Sequence, residues 1–337
     1  MRWVIHIGAP KTGSTAIQRV LCENREQLLA HKIHYPDVSL RGNGHHDLAF
    51  LLYGRYADWA TPQDRPLSEL RIALRDAVQT IPATTVVLSS ENFSLYPQPA
   101  ALRDLLETAG LKRDDEICVV CYARRQDDAH ISWYNQSVKA QGNALGFEDT
   151  VRLTRDLWNY SLLLKPWRDE FGAEAILLRD YTPFGRQPND IRADFLEILG
   201  LSPSQFHLPA ARENERINRD ILEVQRWVNR LPLSHRQKRR FHKQLIELTS
   251  ASANLQIFDD TPFLDFEGRK ALLQSYAEDN KSVARAYLNR EALFAAVEDS
   301  TVMRPAPVVR QGLTLTKLFH ILLWLVGRGL PGQPRRS

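Results

Sequence analysis

Between Val4 and Thr15 the chain runs from a short apolar segment into a small, cationic, hydroxyl-rich turn, Gly8-Ala9-Pro10-Lys11-Thr12-Gly13-Ser14-Thr15, and then into an amphipathic one. Trp3 to Ile7 has the β-branched, apolar character of a buried parallel strand, whereas Ile17, Val20, Leu21 and Leu28 recur at helical spacing. The turn therefore feeds a helix N-terminus, where free backbone N–H groups meet the positive end of the helix dipole. Lys11 adds a charge, and Thr12, Ser14 and Thr15 add hydroxyl donors. Such an element is suited to cradling an oxyanion.

The order of residues within the turn narrows the choice of anion. A nucleotide-triphosphate loop places lysine directly after its second glycine. Here Gly8 and Gly13 have that separation, but Ser14 follows Gly13 and the lysine stands earlier, at Lys11. Pro10-Lys11-Thr12-Gly13-Ser14-Thr15 after a strand instead resembles the 5′-phosphosulfate loop of sulfotransferases that use 3′-phosphoadenosine 5′-phosphosulfate (PAPS). The resemblance implies an α/β fold with a mostly parallel central sheet flanked by helices, P-loop-like, with a helical C-terminal extension. It also implies donor contacts from Pro10, Lys11, Thr12, Gly13, Ser14 and Thr15.

A second segment is similar to the same family. Ile117 to Tyr122 reads as a central strand and leads into Ala123-Arg124-Arg125, and Ser132 lies eight residues beyond Arg124. In sulfotransferases an arginine at a strand end and a serine at this spacing grip the 3′-phosphate of the donor, which the resemblance assigns to Arg124 and Ser132. A guanidinium suits that task because it is permanently charged and donates in a planar fork. The plainer reading pairs Arg124 with Asp127 or Asp128 at a helix start.

A third strand, from Thr85 to Leu88, ends in Ser89-Ser90-Glu91-Asn92. Ligands of parallel sheets collect at the carboxyl ends of strands, so Glu91 is expected on the crevice that holds Lys11, as the catalytic base. A glutamate with a pKa of about 4.3 is a weak base unless burial raises it. It would otherwise cap the next helix or hold Lys11. Gly42-Asn43-Gly44-His45-His46 supplies the second base candidate, with His46 placed beside Lys11 and Glu91 as catalytic. A surface loop or a metal site are the alternatives there, but further ligands at recognisable spacing are lacking. No metal is expected.

The 337 residues carry a net charge of +4, with 43% hydrophobic and 25% charged side chains, as in an ordinary globular protein. No basic stripe with interleaved aromatics appears, so nucleic acid is not an expected partner. His235 to Arg240 reads as a solvated helix face, and Cys22, Cys118 and Cys121 as reduced thiols. With the oxyanion turn following so soon after the initiator methionine, no leader is expected, which points to the cytoplasm and to a bacterial-type relative. Beyond the linker from Met303 to Pro307, Leu318 to Val326 is densely apolar and flanked by Lys317, Arg328, Arg335 and Arg336. This is shorter than the roughly twenty residues of a spanning helix. It reads either as an interfacial helix, giving peripheral membrane contact through 312–330 at the inner face, or as a tail helix packed on the protein.

The expected organisation is a sulfotransferase domain over 1–300, its α/β core reaching about residue 200 and a helical part following from 215, then a linker and apolar tail over 301–337. Ala175 to Leu178 is read as a further strand, and Ile221 to Asn229, Arg236 to Thr249 and Gly268 to Tyr287 as helices. The resemblance extends to Asp194–Leu201, Asn280, Tyr287 and Leu293-Phe294, and Arg216 and Arg219 stand where a late basic loop would close over the adenosine. The expected reaction is in-line transfer of a sulfuryl group from PAPS to an acceptor hydroxyl or amine, on a saccharide, glycolipid or small metabolite. The alternatives are a Mg-nucleotide-dependent phosphotransferase, with Glu91 serving the metal, and a non-catalytic nucleotide-binding relative.

Overall fold

A computed structural model describes residues 1–57, 60–63, 65–181, 190–209, 217–253, 257–259, 261–297 and 312–327, with backbone alone at 235, 236 and 239. Arg216, the linker from 303 to 307, and Arg328, Arg335 and Arg336 lie outside the described residues.

The first stretch of chain comprises β1 (Arg2–His6), α1 (Ser14–Glu23), α2 (Arg25–Ala30), β2 (Ile33–His34), α3 (His46–Tyr53), α4 (Leu67–Thr80) and β3 (Thr85–Ser89). Next come α5 (Asn92–Leu95), α6 (Pro99–Ala109), β4 (Glu116–Ala123), α7 (Gln126–Ala140), α8 (Phe147–Leu153), α9 (Tyr160–Phe171) and β5 (Ile176–Asp180). The remainder is helical: α10 (Ile191–Ile198), α11 (Arg219–Asn229), α12 (His235–Ser252), α13 (Phe266–Gln274), α14 (Ala277–Leu288) and α15 (Leu315–Leu325).

Two compact units divide these elements. One, formed by Met1–Ala129, Arg155–Ala211 and Leu273–Ala295, holds the whole sheet; the other is formed by His130–Thr154, Arg212–Leu272 and Ala296–Ser337. The sheet is five-stranded, in the order β2-β3-β1-β4-β5, and every pairing is parallel. The protein is thus of the α/β class, with a parallel sheet flanked by helices and a P-loop-like β1-turn-α1 unit. Val4, Val87, Val120 and Tyr122 pack on one face with Ile17, Val20 and Leu21 of α1 and Phe195 and Leu196 of α10. Strands covered in this way read as apolar runs rather than alternations. β1 lies between β3 and β4, its neighbours leaving in opposite directions along the chain, which makes its carboxyl end the switch point where such sheets bind ligands.

In the second unit Tyr134 and Val138 of α7 pack with Ile221 and Leu222 of α11, Leu245 and Leu248 of α12, and Ile321 and Trp324 of α15. The apolar tail is therefore a packed helix: Trp324 Nε1 donates to the Gln244 carbonyl, and Lys317 Nζ donates to the fully buried carboxylate of Asp220.

Gly268 to Tyr287, expected as one helix, is two, α13 and α14, broken at Ser275 and Tyr276. Tyr276 is fully buried and its hydroxyl donates to the Arg155 carbonyl, while the Arg155 guanidinium takes the Ser275 carbonyl. Tertiary hydrogen bonds thus replace the helical ones at the break.

Candidate functional site

The turn after β1 is held by donors that reach it from elsewhere in the chain. Thr12 Oγ1 donates to the Ala9 carbonyl (2.7 Å), Trp158 Nε1 to the Pro10 carbonyl (3.2 Å) and the Arg124 guanidinium to the Lys11 carbonyl (2.7 Å). Three successive carbonyls are thereby occupied. Lys11 has φ of +66°, a left-handed conformation uncommon for non-glycine residues. Gly13, at φ +79°, precedes α1 without a side-chain cap, and the N–H groups of Thr12, Gly13, Ser14 and Thr15 meet no acceptor among the described residues. They present the donor set that an anion at a helix N-terminus uses.

Side-chain polar atoms without partners gather at the same place. Ser14 Oγ, His6 Nε2 and Arg124 Nε are buried atoms with no hydrogen-bond partner among the described residues. His6 is the last residue of β1, opposite Ser89 of β3, and its Nδ1 meets Ser89 Oγ at 2.7 Å. Burial holds its pKa down at about 3, so the ring is neutral. Gly8 adopts φ +50°, and a Cβ there would lie 2.6 Å from Ser14 Oγ and 3.5 Å from both His6 Nε2 and Glu91 Cβ. Only glycine leaves that space open.

Arg124 continues β4, and its backbone N–H and carbonyl both bond the Tyr160 hydroxyl, at 2.7 Å each. Its guanidinium lies 5.3 Å from the ring centre of Tyr181, which follows β5 and donates its N–H to Ala123. Arg124 and Lys11 therefore belong to one local structure. The helix-start ion pair is made by the next residue: Arg125 bonds Asp127 at 2.8 Å and approaches Asp128 at 3.8 Å. Ser132 lies on α7, within the stretch assigned to the second unit.

Glu91 stands one residue before α5, and its side chain makes no capping bond there. Its Oε2 accepts from Gln18 Nε2 at 3.1 Å and lies 3.8 Å from His46 Nε2. His46 is anchored through Nδ1 to Ser90 Oγ at 2.8 Å. A Cβ on Gly44 would fall 2.7 Å from both Gln18 Nε2 and His46 Nε2, so the turn before α3 approaches this trio closely. The two histidines have separate tasks. His45 is fully buried, takes the Ser89 N–H on Nδ1 and faces the Pro36 carbonyl with Nε2, and burial lowers its pKa to about 3. With both nitrogens engaged it ties the 36–45 turn to the end of β3, leaving His46 as the histidine beside Glu91.

Lys11, Ser14, Arg124, Glu91 and His46 were all legible as candidates; His6, Gln18, Tyr160 and Tyr181 were not. A histidine ending an otherwise apolar strand was a signal for His6, and the i, i+4 spacing of Ser14 and Gln18 on α1 for Gln18. Among the described residues no cluster of three or more His, Cys, Asp or Glu side chains has the arrangement of a metal site.

No family model matches the chain. An uncharacterised protein of Archaeoglobus fulgidus is 27% identical over 187 residues, which cover 54% of this chain and 48% of that protein, so the match spans about half the length of the relative. The crystal structure of a sulfotransferase from Alicyclobacillus acidocaldarius is similar over 63% of this chain and 86% of that one, with a TM-score of 0.42 and 18% sequence identity.

Proposed function

We propose that the protein is a PAPS-dependent sulfotransferase acting on a hydroxyl or amine of a saccharide, glycolipid or small metabolite. One observation carries the reading: the buried polar atoms Ser14 Oγ, His6 Nε2 and Arg124 Nε lie about an uncapped helix start and have no hydrogen-bond partner among the described residues. Each buried donor left without a partner costs about 1–3 kcal/mol, and an oxyanion seated in the turn removes that cost. The position of Lys11 ahead of Gly13, rather than after it, favours a phosphosulfate over a triphosphate.

The acceptor oxygen or nitrogen attacks sulfur and the bond between sulfur and the bridging phosphate oxygen breaks. The acceptor proton passes to Glu91 Oε2 or His46 Nε2. Lys11 and the N–H groups of 12–15 stabilise the charge that develops on the phosphate oxygen. Arg124 orients the far end of the donor while it holds the turn through the Lys11 carbonyl. Gln18 and Ser90 fix the two base candidates in place.

Incubating the purified protein with sulfur-labelled PAPS and an acceptor panel tests the assignment. Label transfer that is lost in Lys11→Ala supports it. A chain stabilised by Mg–ATP and not by PAPS or 3′-phosphoadenosine 5′-phosphate would favour a phosphotransferase, and nucleotide binding without transfer to any acceptor would leave a binding protein.

A further inference from the structure

Glu91 and His46 stand side by side, but the hydrogen bonds around them decide which nitrogen of the His46 ring carries its proton. Ser90 is fully buried, and its Oγ accepts the Asn92 N–H at 3.1 Å. The same oxygen lies 2.8 Å from His46 Nδ1. A serine hydroxyl has one proton to donate. Among the described residues that proton meets no acceptor other than His46 Nδ1. Were Nδ1 protonated, both groups would be donors and the Ser90 proton would be buried without a partner, a costly arrangement. Nδ1 therefore accepts, and the neutral ring carries its proton on Nε2.

Nε2 is also the atom nearest the carboxylate, 3.8 Å from Glu91 Oε2. The two are too far apart to bond each other, yet an oxygen atom about 2.8 Å from each bridges them. The side chains are 14% and 30% exposed, so neither is sealed from an incoming acceptor. Glu91 Oε2 accepts from Gln18 Nε2 at 3.1 Å and keeps a lone pair for a second donor. The pair adjoins the oxyanion turn: a Cβ on Gly8 would lie 3.5 Å from Glu91 Cβ and 2.6 Å from Ser14 Oγ.

We infer, resting on the sulfuryl-transfer reading, that His46 donates a hydrogen bond to the attacking atom, that Glu91 alone takes its proton, and that the acceptor group is a hydroxyl rather than an amine. A hydroxyl oxygen has two lone pairs, one to accept from His46 Nε2–H and one to attack. Its proton moves to Glu91 Oε2, the attacking pair forms the bond to sulfur, and the phosphate oxygen leaves with the pair of the bond that breaks. His46 keeps its proton throughout. A neutral amine has a single lone pair, which the attack consumes, so the His46 N–H would be left with nothing to bond. Ser90 is the positioning residue, acting through the ring it orients.

The test has one arm that needs no acceptor. Long-range proton–nitrogen correlation spectra of the full chain with isotope-labelled histidine, at about pH 8.5 where imidazoles are neutral, report which ring nitrogen is protonated. His46→Gln identifies the His46 signals. The expected result is a proton on Nε2, with the Nδ1 signal displaced in Ser90→Ala, where its donor is gone. A proton on Nδ1, or an Nδ1 signal unmoved in Ser90→Ala, would overturn the inference. The second arm follows labelled PAPS onto the acceptor panel. Glu91→Gln should lower transfer by at least about a hundredfold. His46→Gln, whose amide N–H still donates, should recover most of the transfer lost in His46→Ala. Equal losses in His46→Gln and Glu91→Gln, or label released by mild acid that cleaves sulfamates and spares sulfate esters, would also overturn it. A parent chain that transfers no label fails the sulfuryl-transfer reading and the hydroxyl assignment with it, while the spectrum still decides the state of the ring.

Discussion

Lowering the pH from 7.5 to 5.5 should remove about 3 kcal/mol of folding stability, through two histidines buried at the edge of the candidate site. Burial lowers the pKa of both His6 and His45 to about 3 in the folded protein, whereas the unfolded chain titrates near 6.5. Below pH 6.5 the unfolded state binds a proton at each ring that the folded state refuses, so stability falls with pH and stops falling near pH 3. At pH 5.5 each ring contributes a loss of about 1.4 kcal/mol, and at pH 7.5 almost none. Burial also lowers the pKa of His34, which acts in the same direction. Urea denaturation at the two pH values measures the difference. His6→Gln keeps an amide donor but does not titrate, so it should lose about half as much stability on acidification as the parent. A stability that is flat between these pH values, or a His6→Gln variant with the same pH dependence as the parent, would refute the argument that His6 sits neutral beneath the turn.

Gly44→Ala should lower transfer at least about tenfold with little change in unfolding, because the new methyl displaces only the ends of Gln18 and His46; unaltered turnover would show that their placement around Glu91 is immaterial. Lys317→Ala leaves the buried Asp220 carboxylate without its cation and should loosen α15 by about 3 kcal/mol, read as faster hydrogen exchange over 315–325; unchanged exchange would contradict the packing described for this helix. The family resemblance gives Ser132 to the 3′-phosphate, so Ser132→Ala should raise the KM for PAPS by about tenfold and spare kcat. Equal KM values would withdraw that assignment.

The strand-turn-helix unit at the start of the chain was readable because its elements are adjacent in sequence: apolar run, glycine-bounded turn and amphipathic helix occupy one short stretch. The same holds for Arg124 at the end of β4. What Arg124 does with its guanidinium was not readable, since the Lys11 carbonyl it holds is more than a hundred residues away. The separate tasks of His45 and His46 likewise depend on distant partners, Pro36 and Ser89 for the one and Ser90 and Glu91 for the other. The break between α13 and α14 was hidden for a similar reason. Its local pattern is helical, and the bonds that interrupt it come from Arg155.

Titration calorimetry of 3′-phosphoadenosine 5′-phosphate, with and without Mg²⁺, tests most directly whether the turn at 8–15 and Arg124 form one site for a sulfonucleotide. Magnesium-independent binding that weakens by at least about tenfold in Arg124→Ala and in Lys11→Ala is the predicted result. Binding of Mg–ATP alone, or an affinity for 3′-phosphoadenosine 5′-phosphate that both substitutions leave intact, would contradict it.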